Sequence, residues 1–453
     1  MPVPYPAFFN IQGVGMDLLK DNVGKLYRKF FIASFGSALI ACIYGLVDMA
    51  MVGQYHGPDG SAAMAVIAPI WNIIYSFGLL CGIGGSVIYA VARGERDDVK
   101  AANGYFTSAF ILGAIWALIL WVLVWVCEEP LLRLFGANDA LMPLCKEYMV
   151  APKLTVPVYV FINLLSSFLR NDGDPGRATK AVIFGGIFNV FGDYFFVFTL
   201  DMGIKGAGIA TAMGASMSVL VMLTHFISKK NTLKFVKPLR ILNSFKMISV
   251  NGFSSFIVDV AMGIATMLFN RRVMEYLGTD ALAVYGVIVV VGTLVQCCSY
   301  GIGQAAQPVI SRNFGAGLTD RIKTMLKYNI ITAAVFGAIW TVLSMAMPQV
   351  FIKLFMTPTP EVLSIAPGII RIYAISFILL PFNIYSTYYF QAIMRAKISL
   401  IASVARGIVI SGALILLLPV AFGGNAVWWA MPITEAVVFV YSAVMMKKVK
   451  LSR

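Results

Sequence analysis

The sequence predicts an all-α polytopic membrane protein, with twelve transmembrane helices in two six-helix bundles related by pseudo-twofold symmetry along the membrane normal. Three observations carry this. Many apolar runs are long enough to cross a bilayer, basic residues crowd into alternate loops, and the chain repeats itself at an offset of 218–219 residues. Of the 453 residues, 59% are apolar and 12% are charged. A soluble domain carries about 25% charged residues, and with a mean hydropathy of +0.83 this chain could not cover itself with polar surface. That excludes a disordered chain, a collagen-like fibre, a disulfide-stapled secreted domain and a cytosolic enzyme.

A bilayer-crossing helix needs about 20 apolar residues. In order, the spans are expected at 30–53, 61–92, 102–127, 142–170, 178–200, 206–229, 247–271, 280–311, 325–348, 363–394, 398–421 and 424–446. The turn Gly57-Pro58-Asp59-Gly60 separates the first two, Asp172-Gly173-Asp174-Pro175-Gly176 the fourth and fifth, and Gly423-Gly424-Asn425 the last two. The segment before the first span is not a secretory signal, because weakly apolar residues precede its charges and a full span follows. The alternating pattern of a transmembrane β-barrel is absent.

Orientation follows from Lys and Arg. With both termini cytoplasmic, 26 basic residues fall in inner segments and eight in outer ones, while Arg406 lies within a span. The net charge of +14 is therefore loop charge facing the cytoplasm and its anionic lipids, with no pattern suited to nucleic acid. The organisation expected is a cytoplasmic segment at 1–29, an N-terminal six-helix lobe at 30–228, a basic cytoplasmic linker at 229–246, a C-terminal six-helix lobe at 247–446 and a tail at 447–453. The linker stretch Lys237-Pro238-Leu239-Arg240 reads as surface-lying.

The repeat supports the two lobes. Gly82-Ile83-Gly84 recurs as Gly301-Ile302-Gly303, Arg93 as Arg312, Arg177-Ala178 as Arg395-Ala396, Gly206 as Gly424 and Ala212-Met213 as Ala430-Met431. The offset covers six spans, so the halves run in parallel, as in alternating-access carriers. Ring symmetry around one pore, the usual plan of a channel, is not expected.

Four acids lie inside spans: Asp48, Asp193, Asp259 and Glu435. Each costs at least about 2.5–3.5 kcal/mol on insertion scales and so needs a reason. Tyr44 sits one turn before Asp48, and Asn189 one turn before Asp193, on the same helix faces. Asn163 and Thr211 are further polar side chains in apolar runs. At an offset of 218 residues Asp48 maps to Thr266, Asn163 to Pro381, Asn189 to Gly407, Asp193 to Ser411 and Thr211 to Trp429, so the fold repeats while this polar set does not. An ion site in the first half explains the asymmetry. For Asn163 and Thr211 the alternative is helix–helix hydrogen bonding. Carboxylates with amide and hydroxyl oxygens can surround a hard cation such as Na⁺, and the same carboxylates can carry a proton. Asp259 and Glu435 are candidates for a second cation site or for recognising a positively charged substrate, and Arg406 is a candidate partner that would make Glu435 structural.

The six cysteines show no metal or disulfide spacing and read as apolar filler. Neither His56 nor His225 begins a metal or protease motif, and nothing resembles a P-loop. No catalytic residue, cofactor or enzyme activity is expected. Abundant Met and Phe suit a cavity that accepts varied apolar and cationic shapes.

In these stretches the chain resembles the multidrug and toxic compound extrusion (MATE) family of bacterial type. They are Val47-Asp48-Met49-Ala50-Met51-Val52-Gly53, Phe168-Leu169-Arg170-Asn171-Asp172-Gly173, Gly301-Ile302-Gly303-Gln304-Ala305-Ala306-Gln307-Pro308 with Asn313-Phe314-Gly315-Ala316, and Tyr389-Phe390-Gln391-Ala392. The resemblance covers roughly residues 20–448. It implies a two-lobe antiporter of the cell membrane that exports organic, often cationic, compounds in exchange for Na⁺ or H⁺ and is complete as a monomer. It also implies a cation site at Asp48, Asn163, Asn189, Asp193 and Thr211. Relatives with a second-lobe site use acids in spans seven and ten. Asp259 matches the first, and span ten has no acid. Some relatives bend the first span at an early proline, which this chain lacks. The competing reading is a flippase for lipid-linked saccharide or lipid, which would favour more basic residues within the spans.

Overall fold

The structure is a computed structural model that describes residues 17–96, 98–238, 240–355 and 358–451. Residues 1–16 of the expected N-terminal segment and residues 452–453 of the tail lie outside the described residues. Helices dominate. Those that match spans are α1 (Val23–Gly57), α2 (Asp59–Glu95), α3 (Val99–Val126), α4 (Val150–Asn171), α5 (Pro175–Thr199) and α6 (Gly203–Ile227) in the first half. In the second half, the stretch Ile241–Gly315 is broken at Gly278 into α7 (241–277) and α8 (279–315). It is followed by α9 (Thr319–Ala346), α10 (Pro360–Ala392), α11 (Ala396–Phe422) and α12 (Gly424–Lys448). With the break at Gly278 counted, twelve described helices are long and apolar enough to cross a membrane.

The helix ends follow local chemistry. Asn22 accepts from the backbone N–H groups of Gly24 and Lys25 and starts α1. Asp98 caps α3 in the same way, and Thr359 caps α10. Each long hairpin turns on one glycine. Gly57 has φ 65° and ψ −147°, and Gly278 has φ 78° and ψ −169°. A side chain is disfavoured in that backbone region.

Several boundaries differ from those expected. Helix α1 starts at Val23 rather than near residue 30, α7 at Ile241 rather than 247, and α9 at Thr319 rather than 325. All three run past the apolar core into charged sequence, where hydropathy no longer marks a helix. The expected span at 142–170 is divided into a short helix Met142–Tyr148 and α4.

The two halves meet at the side that bears the termini. A methyl group at Gly252 of α7 would lie 2.0 Å from the Leu80 carbonyl oxygen of α2, and one at Gly94 would lie 2.1 Å from that of Arg312 at the end of α8. Only bare backbone permits such approach. On the same side Tyr27 of α1 donates to Thr332 of α9 at 2.6 Å and stacks on Tyr328. Arg321 donates to the carbonyl oxygens of Leu18 and Asp21.

The connector after α6 is extended and clasped by the first half. Asp172 accepts from the Thr232 backbone at 2.9 Å, from the Thr232 hydroxyl, and from Tyr89 at 2.9 Å. Buried His225 places Nε2 2.8 Å from Asp172. His225 is thus a structural residue. His56 accepts from the Ile204 backbone at 3.0 Å and fastens the far end of α1 to α6.

Candidate cation site

The polar residues of the first half converge where α1, α5 and α6 meet, with the helix Met142–Tyr148 closing over them. Helix α5 packs closely on both neighbours, with Gly186 against the Tyr44 ring of α1 and Asn189 against Gly214 of α6. Asp48 is buried and its Oδ2 accepts from the Tyr148 hydroxyl at 3.0 Å. Thr211 also faces Asp48, and its hydroxyl accepts from Asn189 Nδ2 at 3.3 Å. Asp193 is fully buried and close enough to Asp48 for their charges to repel. It is followed directly by a π-helical turn, Tyr194–Thr199, a local irregularity common at functional sites.

This set leaves acceptors unused. Asp48 Oδ1, Asn189 Oδ1 and both carboxylate oxygens of Asp193 are buried without a hydrogen-bond partner. Buried polar atoms are normally satisfied, and buried carboxylate oxygens without a partner are costly. Oxygen atoms only, several of them anionic, make a donor set that fits Na⁺ or a proton.

The structure therefore brings together Asp48, Asn189, Asp193 and Thr211, with Tyr44 beside them. Asn163 lies against Gly78 of α2 and donates to the Tyr159 carbonyl of its own helix at 3.2 Å. It makes no hydrogen bond to Asp48, Asn189, Asp193 or Thr211, although Tyr159, one turn earlier on α4, lies near both acids. Tyr148 and Tyr159 were not singled out from the sequence. Tyr148 lies in a short helix beyond the span, next to Lys146 and Glu147, and nothing in that context signals contact with Asp48.

The second half is different. A cavity of about 110 Å³ opens among α7, α8, α10, α11 and α12. Thr266, Gly407 and Ser411 line it, and these are the repeat counterparts of Asp48, Asn189 and Asp193. The cavity thus occupies the place that the acidic cluster fills in the first half. Glu435 also lines it, but its charge is compensated by Arg406 Nε at 2.7 Å and Asn383 Nδ2 at 2.6 Å. Asp259 accepts from the Tyr300 hydroxyl at 2.7 Å, and Gln296 supports Tyr300 at 2.6 Å. Its second oxygen is buried without a partner. Asp259 and Glu435 thus belong to separate networks.

Two six-helix halves with acids buried among their helices define a polytopic membrane protein with a candidate cation site. The MatE family model matches residues 33–195 and again residues 252–416, together more than half of the chain. The chain belongs to this family, the one its motifs resemble. The two matches begin 219 residues apart (33 and 252), the spacing of the internal repeat. The multidrug export protein MepA of Staphylococcus haemolyticus is 24% identical over 426 residues, covering 92% of both chains. That of Staphylococcus aureus is 22% identical over 425 residues with the same coverage. Among solved structures, an outward-facing MATE family transporter of the MOP superfamily superposes with a TM-score of 0.86 at 22% identity, over 96% of this chain and 98% of that one. A MOP superfamily transporter from Pyrococcus furiosus gives 0.85 at 22% identity, over 95% and 97%. These likenesses establish the fold.

Proposed function

We propose that the protein is a secondary antiporter of the cell membrane that exports lipophilic or cationic organic compounds in exchange for Na⁺ or H⁺. The observation that carries this is the cluster of unpartnered acidic oxygens at Asp48 and Asp193. The names of its relatives, multidrug export proteins, supply the cargo class. In this reading the incoming cation binds Asp48, Asn189, Asp193 and Thr211, with Asn163 on the adjoining face, and relieves the repulsion between the two carboxylates. Exchange requires that ion and cargo stabilise different states of the two lobes. The close seam on the side of the termini would part as the opposite side closes, giving alternating access with both termini cytoplasmic. A single chain suffices.

The cavity of the second half suits the cargo. Phe269, Tyr285 and Tyr373 line it and offer aromatic faces to an organic cation. Tyr44 and Asp259 contribute to cargo recognition or to a second cation site, with Asp259 the stronger because it keeps an unpaired oxygen, whereas Glu435, paired with Arg406, is structural. The flippase reading gains no support from the relatives' names.

The test is ethidium efflux from proteoliposomes under a Na⁺ gradient alone and then an H⁺ gradient alone. Efflux under one of them names the coupling ion. Efflux under neither, with sealed vesicles and folded protein, would overturn the reading for this cargo class.

A further inference from the structure

The connector between the halves carries a feature that transport does not explain. From 229 to 246 the connector and the first turns of α7 carry Lys229, Lys230, Lys234, Lys237, Arg240 and Lys246 and no acidic residue. Lys230 reaches Asp174 at 3.5 Å. The other five are exposed, and none of them pairs with a carboxylate among the described residues. Large apolar side chains are interleaved with them in full view of the surroundings. Ile227 is 88% exposed, Phe235 57% and Leu242 78%.

This strip is held in register rather than left loose. Asn103 of α3 accepts from the Lys234 backbone at 3.0 Å and donates to the Thr232 carbonyl at 3.1 Å. Thr107 accepts from the Val236 backbone at 3.0 Å. Leu233 is buried by this docking, which leaves Lys234 and Phe235 outside. Phe235 rests on Phe106 and Phe110 of α3, at 5.0 Å between ring centroids in each case. The connector joins the ends of α6 and α7, so it lies at the membrane–water boundary on the side of the termini.

We propose that residues 227–238 and 240–246 form a binding surface for the headgroups of anionic phospholipids in the adjacent leaflet. Clustered Lys and Arg supply charge complementary to phosphodiester headgroups. The exposed Ile, Phe and Leu supply the apolar contact that acyl chains offer and free phosphate does not. Because the strip is clasped to the first half and continues into α7 of the second, bound lipid would touch the one covalent link between the moving parts. The proposal stands apart from the transport reading, since its test measures binding.

The test is native mass spectrometry of the full-length, detergent-solubilised protein mixed with equal amounts of phosphatidylglycerol and phosphatidylcholine of matched acyl chains. Each basic residue near an anionic surface contributes roughly fivefold. The expected result is at least about fivefold more phosphatidylglycerol than phosphatidylcholine retained. The preference should vanish in the variant K229Q/K234Q/K237Q/R240Q and persist when inorganic phosphate is added in excess. The milder variant K234Q/K237Q, at two exposed positions, serves if the fourfold variant fails to fold, and should reduce the preference measurably. Equal retention of both lipids by the wild type, an unchanged preference in the folded variants, or displacement by phosphate would each overturn the proposal.

Discussion

The two halves of this molecule share a scaffold and differ in what fills it. The first half packs acids into the space among its helices, and Asp193 has no hydrogen-bond partner on either oxygen. The second half leaves a cavity at the equivalent place, with Thr266 and Ser411 where Asp48 and Asp193 would stand. Its buried Glu435 is already neutralised by Arg406. The Gly-Ile-Gly stretch at 82–84 and 301–303 and the glycine break in each long hairpin are repeated, whereas the buried acids are not. Helix packing therefore constrains the repeat at its small residues, and the polar positions were free to diverge into different chemistries.

The largest effect that would sharpen this contrast concerns stability. Arg406→Ala leaves Glu435 charged and buried, and is expected to cost about 3–5 kcal/mol. The double variant Arg406→Ala/Glu435→Gln should recover much of that loss in thermal unfolding. No recovery would mean that Glu435 does more than balance Arg406. Next, Gly252→Val would push against the Leu80 backbone at the seam between halves and should destabilise the protein by about 1–3 kcal/mol. Accessibility labelling near Gly84 reads whether the seam has opened.

An effect of similar size is expected at Tyr148. A hydrogen bond to a charged group contributes about 1.5–3 kcal/mol, so Tyr148→Phe should change the apparent affinity for the driving ion by roughly tenfold or more without unfolding the protein. An unchanged ion dependence would remove Tyr148 from the site. The smallest effect lies outside the spans, at Asp174. Burial alone would push this carboxyl up, but His225, Arg177 and Lys230 outweigh it and hold it below the ordinary carboxylate range. Its stabilising contribution is therefore present above the unfolded carboxylate value of about 3.9 and lost as pH falls through the lower folded value. Asp174→Asn should lower thermal stability at pH 7, and its difference from the wild type should shrink below about pH 4.

Much of this was legible in the sequence. Charge-free runs located the spans, and the 218–219 offset located the repeat that the two family matches reproduce. Asp48, Asn189, Asp193 and Thr211 stood out because isolated polar residues in apolar helices are rare, and Arg406 was visible as a partner for Glu435. The remaining contacts involve residues distant in the chain. Tyr148 reaches Asp48 across 100 residues and Tyr300 reaches Asp259 across 41, and tyrosines near span ends are too common to signal either contact. Asn383 was hidden in a polar and aromatic stretch of α10. The starts of α1, α7 and α9 were misplaced because helices continue beyond the apolar layer that hydropathy detects.

The central claim is that the first half, and not the second, holds the coupling ion. The most direct measurement is ethidium efflux driven by the coupling ion in proteoliposomes, comparing wild type, Asp193→Asn and Ser411→Ala at the counterpart position, with thermal unfolding to confirm that each is folded. The account predicts efflux at background in Asp193→Asn, with coupling retained in Ser411→Ala. Ion-driven efflux by Asp193→Asn at the wild-type rate would contradict it.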